Sequence, residues 1–306
     1  DAYTFELKEG SDLVATAKNT ASGEVAFNVT FSAAGDYAYT ITEKAGNEPG
    51  VTYDTASHTV TVDVADNGRG QLEATVPAEK PVFTNTYAAK PGKTVIEAKK
   101  VLNGKALEAD KYEFELKDSE GNLVDTAKNK ADGSITFKEI EFETAGEYTY
   151  TITEKAGSEK GVTYDTAKHE VKVKVTDNGQ GQLVTTVTGN NPTFTNTYKA
   201  ASTSATIKAK KVLNGKELVA DAYTFELKEK DAVVAEAKNT ASGEVVFNVN
   251  YTEAGEHTYT ITEKSGTEAG VTYSTESHTV KVTVVDNGQG QLVATVEDAD
   301  TERVFT

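Results

Sequence analysis

Three residue types recur on strand faces where water is excluded, and together they have the chemistry to make an amide. Between residues 96 and 103, Ile96, Ala98, Lys100 and Leu102 fall on one face, and Glu97, Lys99, Val101 and Asn103 fall on the other. Side chains on a strand alternate between core and solvent, so Lys100 points inward with its apolar neighbours and Lys99 outward. Ile207, Ala209, Lys211 and Leu213 repeat the pattern against Lys208, Lys210 and Val212. An acid is in phase with aromatic residues at Tyr148, Tyr150, Ile152 and Glu154, at Tyr37, Tyr39, Ile41 and Glu43, and at His257, Tyr259, Ile261 and Glu263. An amide follows the same rule at Phe194, Asn196 and Tyr198 and at Phe83, Asn85 and Tyr87.

A buried unpaired charge costs several kcal/mol, so inward Lys, Glu and Asn must satisfy one another. Two outcomes are chemically open. One is a buried Lys–Glu salt bridge with a hydrogen-bonded Asn. The other is covalent: an apolar pocket drives a lysine toward its neutral, nucleophilic form and a glutamate toward its acid form, by up to ~3–5 units when fully buried. The amine could then attack the Asn carbonyl, with Glu donating a hydrogen bond to that oxygen and relaying protons as ammonia leaves.

The elements that carry these residues come in three copies. Tyr-Thr-Phe-Glu-Leu-Lys at 3–8 returns at 223–228, and as Tyr-Glu-Phe-Glu-Leu-Lys at 112–117. Tyr-Thr-Ile-Thr-Glu-Lys ends at Lys44, Lys155 and Lys264, and Gly-Val-Thr-Tyr starts at Gly50, Gly161 and Gly270. Asp-Asn-Gly-x-Gly-Gln-Leu starts at Asp66, Asp177 and Asp286. The offsets of 109 to 111 residues are a domain length, not a solenoid repeat. Period-2 runs such as Tyr3, Phe5, Leu7 and Val171, Val173, Val175 predict half-buried antiparallel strands. Asn-Gly at 67–68, 178–179 and 287–288 and Ala-Gly at 34–35, 145–146 and 254–255 supply turn signals, and no stretch sustains a helical period. Short strands without helices predict one β-sandwich per copy. The expected modules are 1–89, 93–200 and 204–306, joined by short linkers at Ala88–Gly92 and Lys199–Ser204 into an elongated, semi-rigid rod.

The ends of the sequence cut the outer copies. Asp1 aligns with Asp110 and Asp221, so the first copy lacks its Lys-bearing strand but keeps Glu43 and Asn85. The third copy has Lys211 and Glu263 and ends where an Asn is due. A window on a longer array explains this, and so does complementation by a strand from another chain.

Ala-Lys-Lys-Val-Leu-Asn-Gly, Tyr-Thr-Tyr-Thr-Ile-Thr-Glu, Gly-Val-Thr-Tyr-Asp and Phe-Thr-Asn-Thr-Tyr, in this order, resemble the streptococcal pilin isopeptide-linkage domain. That family groups with the CnaB-like, Ig-related sandwiches of Gram-positive pilins and adhesins. The resemblance covers the middle copy and the visible parts of the other two. It implies Lys100 as nucleophile, Asn196 as acceptor and Glu154 as catalytic acid, with partial sites at Glu43, Asn85, Lys211 and Glu263. It also implies a structural stalk on a cell-wall-anchored surface protein, whose bond-forming step is a single self-modification and not enzymatic turnover.

Composition limits the alternatives. Lys and Arg total 31 against 48 Asp and Glu, a formal charge of −17, which opposes binding to nucleic acid or anionic membrane. No apolar run reaches the ~18 residues of a membrane helix. With no Cys there are no disulfides or thiolate metal sites. Asp-Asn-Gly-x-Gly-Gln lacks the acidic ligands of a calcium loop and reads as a hairpin turn. His58, His169 and His278 read as strand-end packing residues, so neither metal nor cofactor is expected. The expected partners are neighbouring repeats, with any host ligand bound elsewhere in the parent protein. The competing function is an adhesin module that grips a host protein or glycan through its loops; near-identical loop tips across copies argue against it.

Overall fold

The computed structural model describes residues 2–306; Asp1 lies outside the described residues. All regular elements among them are strands. In the middle module, five strands at Leu123–Lys128, Glu113–Asp118, Gly146–Glu154, Lys168–Asp177 and Leu183–Thr188 form one antiparallel sheet in that order. Ser134–Thr136, Glu97–Asn103, Thr193–Tyr198 and Val162–Thr163 form the opposing sheet, and Gly92–Thr94 pairs with Ile140–Phe142 at its end. The two inner faces meet in one core of Ile96, Ala98, Phe114, Leu116, Ile135, Ile152, Val171, Val173 and Phe194. This is the Ig-like sandwich that the period-2 patterns require.

One pairing departs from the antiparallel expectation. The first strand, Glu97–Asn103, and the last, Thr193–Tyr198, run parallel, with Phe194 opposite Lys100 and Asn196 opposite Leu102. A chain whose first and last strands lie side by side enters and leaves the module in the same direction, which suits a linear array. The third module repeats the arrangement: Thr203–Lys211 pairs antiparallel with Glu244–Tyr251 and parallel with Val304–Phe305.

The first module keeps the five-stranded sheet, from Asp12–Lys18 to Leu72–Thr75, but its second sheet is reduced to Val51–Thr52 paired with Thr86–Tyr87. Residues 24–32, which correspond to the paired strands at 134–136 and 140–142, form no strand. A groove of about 300 Å³ lined by Phe27, Val29, Phe31, Tyr39 and Val62 stands where Ile96 and Ala98 fill the middle module.

The Asn-Gly signals do mark hairpins, though not the expected tight turns. Asp177 pairs with Leu183, leaving a five-residue loop in which Asn178 Oδ1 accepts the Gln180 and Gln182 N–H groups. Gly179 and Gly181 both have positive φ, a geometry open to glycine at little cost.

Candidate functional site

Lys100, Glu154 and Asn196 meet at the centre of the middle module. Lys100 is 1% exposed and Asn196 fully buried, and the Glu154 side chain is inaccessible to water. Glu154 bridges the other two: Oε2 accepts from Lys100 Nζ at 2.7 Å, and Oε1 accepts from Asn196 Nδ2 at 2.7 Å. The side chains reach this point from three strands, the first and last strands of one sheet and the central Gly146–Glu154 strand of the other. Lys99 is exposed on the opposite face, as its phase requires.

Aromatic rings take the place of water around the amine. Nζ lies 4.9 Å from the centroid of the Tyr112 ring and 5.9 Å from that of Phe114. Burial pushes the Lys100 ammonium below the ordinary lysine range, and the hydrogen bond to Glu154 opposes but does not cancel that effect. Tyr112 is itself held by Asn129, a fully buried side chain that accepts from the Tyr112 N–H at 2.8 Å and donates to the Glu108 carbonyl at 2.7 Å. Asn239 holds Tyr223 in the same way beneath Lys211.

The orientation of the acceptor amide corrects one expectation. Glu154 does not face the Asn196 carbonyl; it faces the amide nitrogen. The carbonyl, Oδ1, accepts the backbone N–H of Asp165 at 2.7 Å. The physical reason is proton supply: a carboxylate already holding an ammonium accepts from Nδ2, and Oδ1 must find a donor elsewhere. A backbone N–H aimed at a carbonyl stabilises negative charge that develops there during attack.

Asp165 is the residue that sequence reasoning missed. Its carboxylate accepts the N–H groups of Thr195 at 2.7 Å and Ala167 at 2.8 Å, tying the loop to the strand that carries Asn196. Burial raises its pKa, but these two N–H donors and the nearby Lys100 outweigh it and hold the carboxyl below the usual aspartate value. The signal was present in Gly-Val-Thr-Tyr-Asp, whose last residue follows the repeated tetrad.

The outer modules carry parts of the same site. In the first, Asn85 Nδ2 donates to Glu43 Oε1 at 2.7 Å, and Asp54 N–H donates to Asn85 Oδ1 at 2.8 Å. Asp54 in turn accepts from Thr84 and Ala56, so the acid, the amide and the clamp are assembled without a lysine. In the third, Lys211 Nζ lies 2.8 Å from Glu263 Oε1 and donates to Oε2 at 3.0 Å. Ser274 replaces the aspartate, and its N–H bonds Glu263 Oε2 directly. Thr306 lies one residue short of the position equivalent to Asn196, since Phe305 opposes Lys211 as Phe194 opposes Lys100.

The histidines pack as expected. His58, His169 and His278 stand edge-on to Phe83, Phe194 and Phe305, with ring centroids 4.7 to 4.8 Å apart.

The family model for the Spy0128-like isopeptide containing domain matches residues 1–88, 96–199 and 207–306, one match per module. The chain belongs to that family. No curated protein matches it. Among solved structures, a major pilin of Streptococcus pyogenes is 17% identical over 72% of this chain and 98% of its own, with a TM-score of 0.29. Two B repeat units of the Staphylococcus aureus collagen-binding protein are 18% identical over 96% of this chain and 69% of their own, with a TM-score of 0.27. The Bacillus anthracis TIE protein is 14% identical with a TM-score of 0.23; the match covers 99% of this chain and 46% of that one.

Proposed function

We propose that the chain is a load-bearing segment of a surface stalk or pilus shaft, and that its middle module is closed by an amide bond between Lys100 Nζ and Asn196 Cγ. The observation that carries this reading is the buried Glu154 carboxylate, which holds the amine on one oxygen and the amide nitrogen on the other.

The steps follow from those contacts. Glu154 Oε2 takes a proton from the Lys100 ammonium, and the neutral amine attacks Asn196 Cγ. Negative charge gathers on Oδ1 against the Asp165 N–H. Glu154 carries the proton to Nδ2, the Cγ–Nδ2 bond breaks, and nitrogen leaves as ammonia, which takes up the second amine proton as ammonium. Glu154 returns to its carboxylate form. One C–N bond replaces another, nothing is oxidised, and each site reacts once.

The bond bypasses the body of the module. Tension entering along Glu97–Lys100 leaves through Asn196–Tyr198 without loading the sheets between them. By analogy with a disulfide closing a loop of roughly 100 residues, restricting the unfolded chain adds roughly 4–5 kcal/mol of stability. An amide, unlike a disulfide, cannot be reduced. Such a shaft belongs outside the cell, on a protein anchored to the wall. Force spectroscopy tests the role: the middle module should yield no extension between Lys100 and Asn196, and full-length extension of that module would remove it.

A second reading concerns the first module. It holds both an apolar groove, lined in part by Tyr39 and Ile41 of the strand that carries Glu43, and a preassembled Glu43–Asn85 pair, which together favour a strand of the Ile-x-Ala-x-Lys type as the occupant. The strand can come from the same protein or from another chain. Cross-linked peptides containing Asn85, read by mass spectrometry, identify which; none with an inter-chain lysine eliminates complementation in trans.

A further inference from the structure

The Asp-Asn-Gly-x-Gly-Gln loops have a role that neither a turn nor an isopeptide site explains. The second and third of them, at 177–182 and 286–291, lie against the preceding module. The phenol of Tyr87, at the end of the first module's last strand, donates to Asp177 Oδ1 at 2.8 Å and accepts from Gly181 N–H at 3.1 Å. Tyr198 does the same in the next module, donating to Asp286 Oδ1 at 2.8 Å and accepting from Gly290 N–H at 3.0 Å.

The connectors are zipped onto the same loops. Lys90 N–H donates to Gly181 O and Lys90 O accepts from Leu183 N–H; Ala201 repeats both bonds with Gly290 and Leu292. The backbones also touch. A Cβ on Gly181 would sit 2.6 Å from Gly50 N, and one on Gly290 would sit 2.7 Å from Gly161 N. The glycine of Gly-Val-Thr-Tyr in one module therefore packs on the second glycine of the loop in the next. Gly70 and Gly270, the equivalent positions that face no neighbouring module in this chain, have open space around them. Two repeated motifs, separated by more than a module in sequence, are thus the two halves of one contact.

We propose that the loop is a tyrosine socket, which clamps the closing strand of the preceding module and fixes the angle between successive modules. Its asparagine and aspartate build it in advance. At 66–71, where no tyrosine enters, Asp66 Oδ1 still accepts from Gly68 N–H and Asn67 Oδ1 from Arg69 N–H, as their counterparts do in the occupied loops. A formed socket loses little freedom when the phenol binds, so the joint holds one orientation. The stalk is then a stiff rod with a repeated rotation per module, independent of whether the isopeptide bond forms.

The test is a distance distribution between modules in the full chain. The absence of native cysteine allows spin labels at Ser11→Cys and Ser119→Cys, both exposed, with the separation read by pulsed electron resonance. The expected result is one narrow distribution, broadened severalfold when Tyr87→Phe is combined with Gly181→Ala. Gly70→Ala imposes the same positive-φ strain on a loop outside the joint and should leave the distribution unchanged. Unaltered circular dichroism in all three proteins shows that the modules remain folded. A distribution equally narrow in the joint variant, or already as broad in the parent, overturns the proposal.

Discussion

Replacing Asp165 by Ala isolates the contribution of the clamp behind the acceptor. The substitution keeps the residue 165 N–H that faces Asn196 Oδ1 but removes the acceptor of the Thr195 and Ala167 N–H groups. A hydrogen bond to a charged group is worth about 1.5–3 kcal/mol, so two would total about 3–6 kcal/mol in a dry site, and the partial exposure of this pair reduces that to about 2–3 kcal/mol. At 1.4 kcal/mol per factor of ten, 2 kcal/mol corresponds to roughly 30-fold faster local opening. Hydrogen exchange of the peptides spanning 160–170 and 190–198 in the full chain measures this directly. The pH dependence carries a sign. The folded pKa of Asp165 lies below its unfolded value, so its stabilisation is present above the ordinary aspartate pKa of 3.8 and is lost as pH falls through the lower folded value. Protection in the parent should decay over that acid window, and protection in Asp165→Ala should be low and flatter. The same substitution should slow formation of the amide, because the N–H that faces the carbonyl is no longer held in place by the side-chain clamp. Unchanged exchange at Thr195 and Ala167, with the same acid limb, would refute the clamp.

Four further outcomes follow from the geometry. Lys100→Ala, Glu154→Ala and Asn196→Ala should each abolish the loss of ammonia, whereas Lys99→Ala, on the exposed face, should leave it intact; intact mass decides. Glu154→Ala should keep the fold but melt lower, since removing one member of a buried pair costs roughly 3–5 kcal/mol; scanning calorimetry reads the change. In Asn196→Ala the lysine stays free with its pKa held below 10.5, so the unfolded state binds more protons in the window beneath that value. Stability should therefore rise with pH there, and Lys100→Met in the same background should remove the slope in denaturant titrations. Gly133→Ala places a Cβ against the Lys100 carbonyl at a φ of +85°, so it should displace the nucleophile's strand and slow bond formation in a mass-resolved time course.

The positions of Lys100, Glu154 and Asn196 were legible because strand periodicity reports which face a residue occupies, and all three stood in phase with apolar neighbours. Lys99 and Lys100 were separated by that rule alone. The parallel pairing of first and last strands was not legible, since alternation specifies a face and not a partner. Asp165 escaped for a related reason: its backbone N–H, which any residue carries, meets the carbonyl, and its side chain holds main-chain atoms in a loop without period. Amide orientation depends on one donor, the Asp165 N–H, and one acceptor, Glu154 Oε1, brought in from 31 and 42 residues away. The socket loops looked like simple turns because their partners, Tyr87 and Tyr198, lie about 90 residues upstream in another module.

Whether the buried amine and amide are joined or merely hydrogen-bonded is decided by high-resolution mass of the intact full chain, followed by digestion and peptide sequencing. The account predicts a mass one ammonia below that of the sequence and a branched peptide linking Lys100 to Asn196. A full sequence mass, with the Lys100 amine free to label once the protein is unfolded, would contradict it.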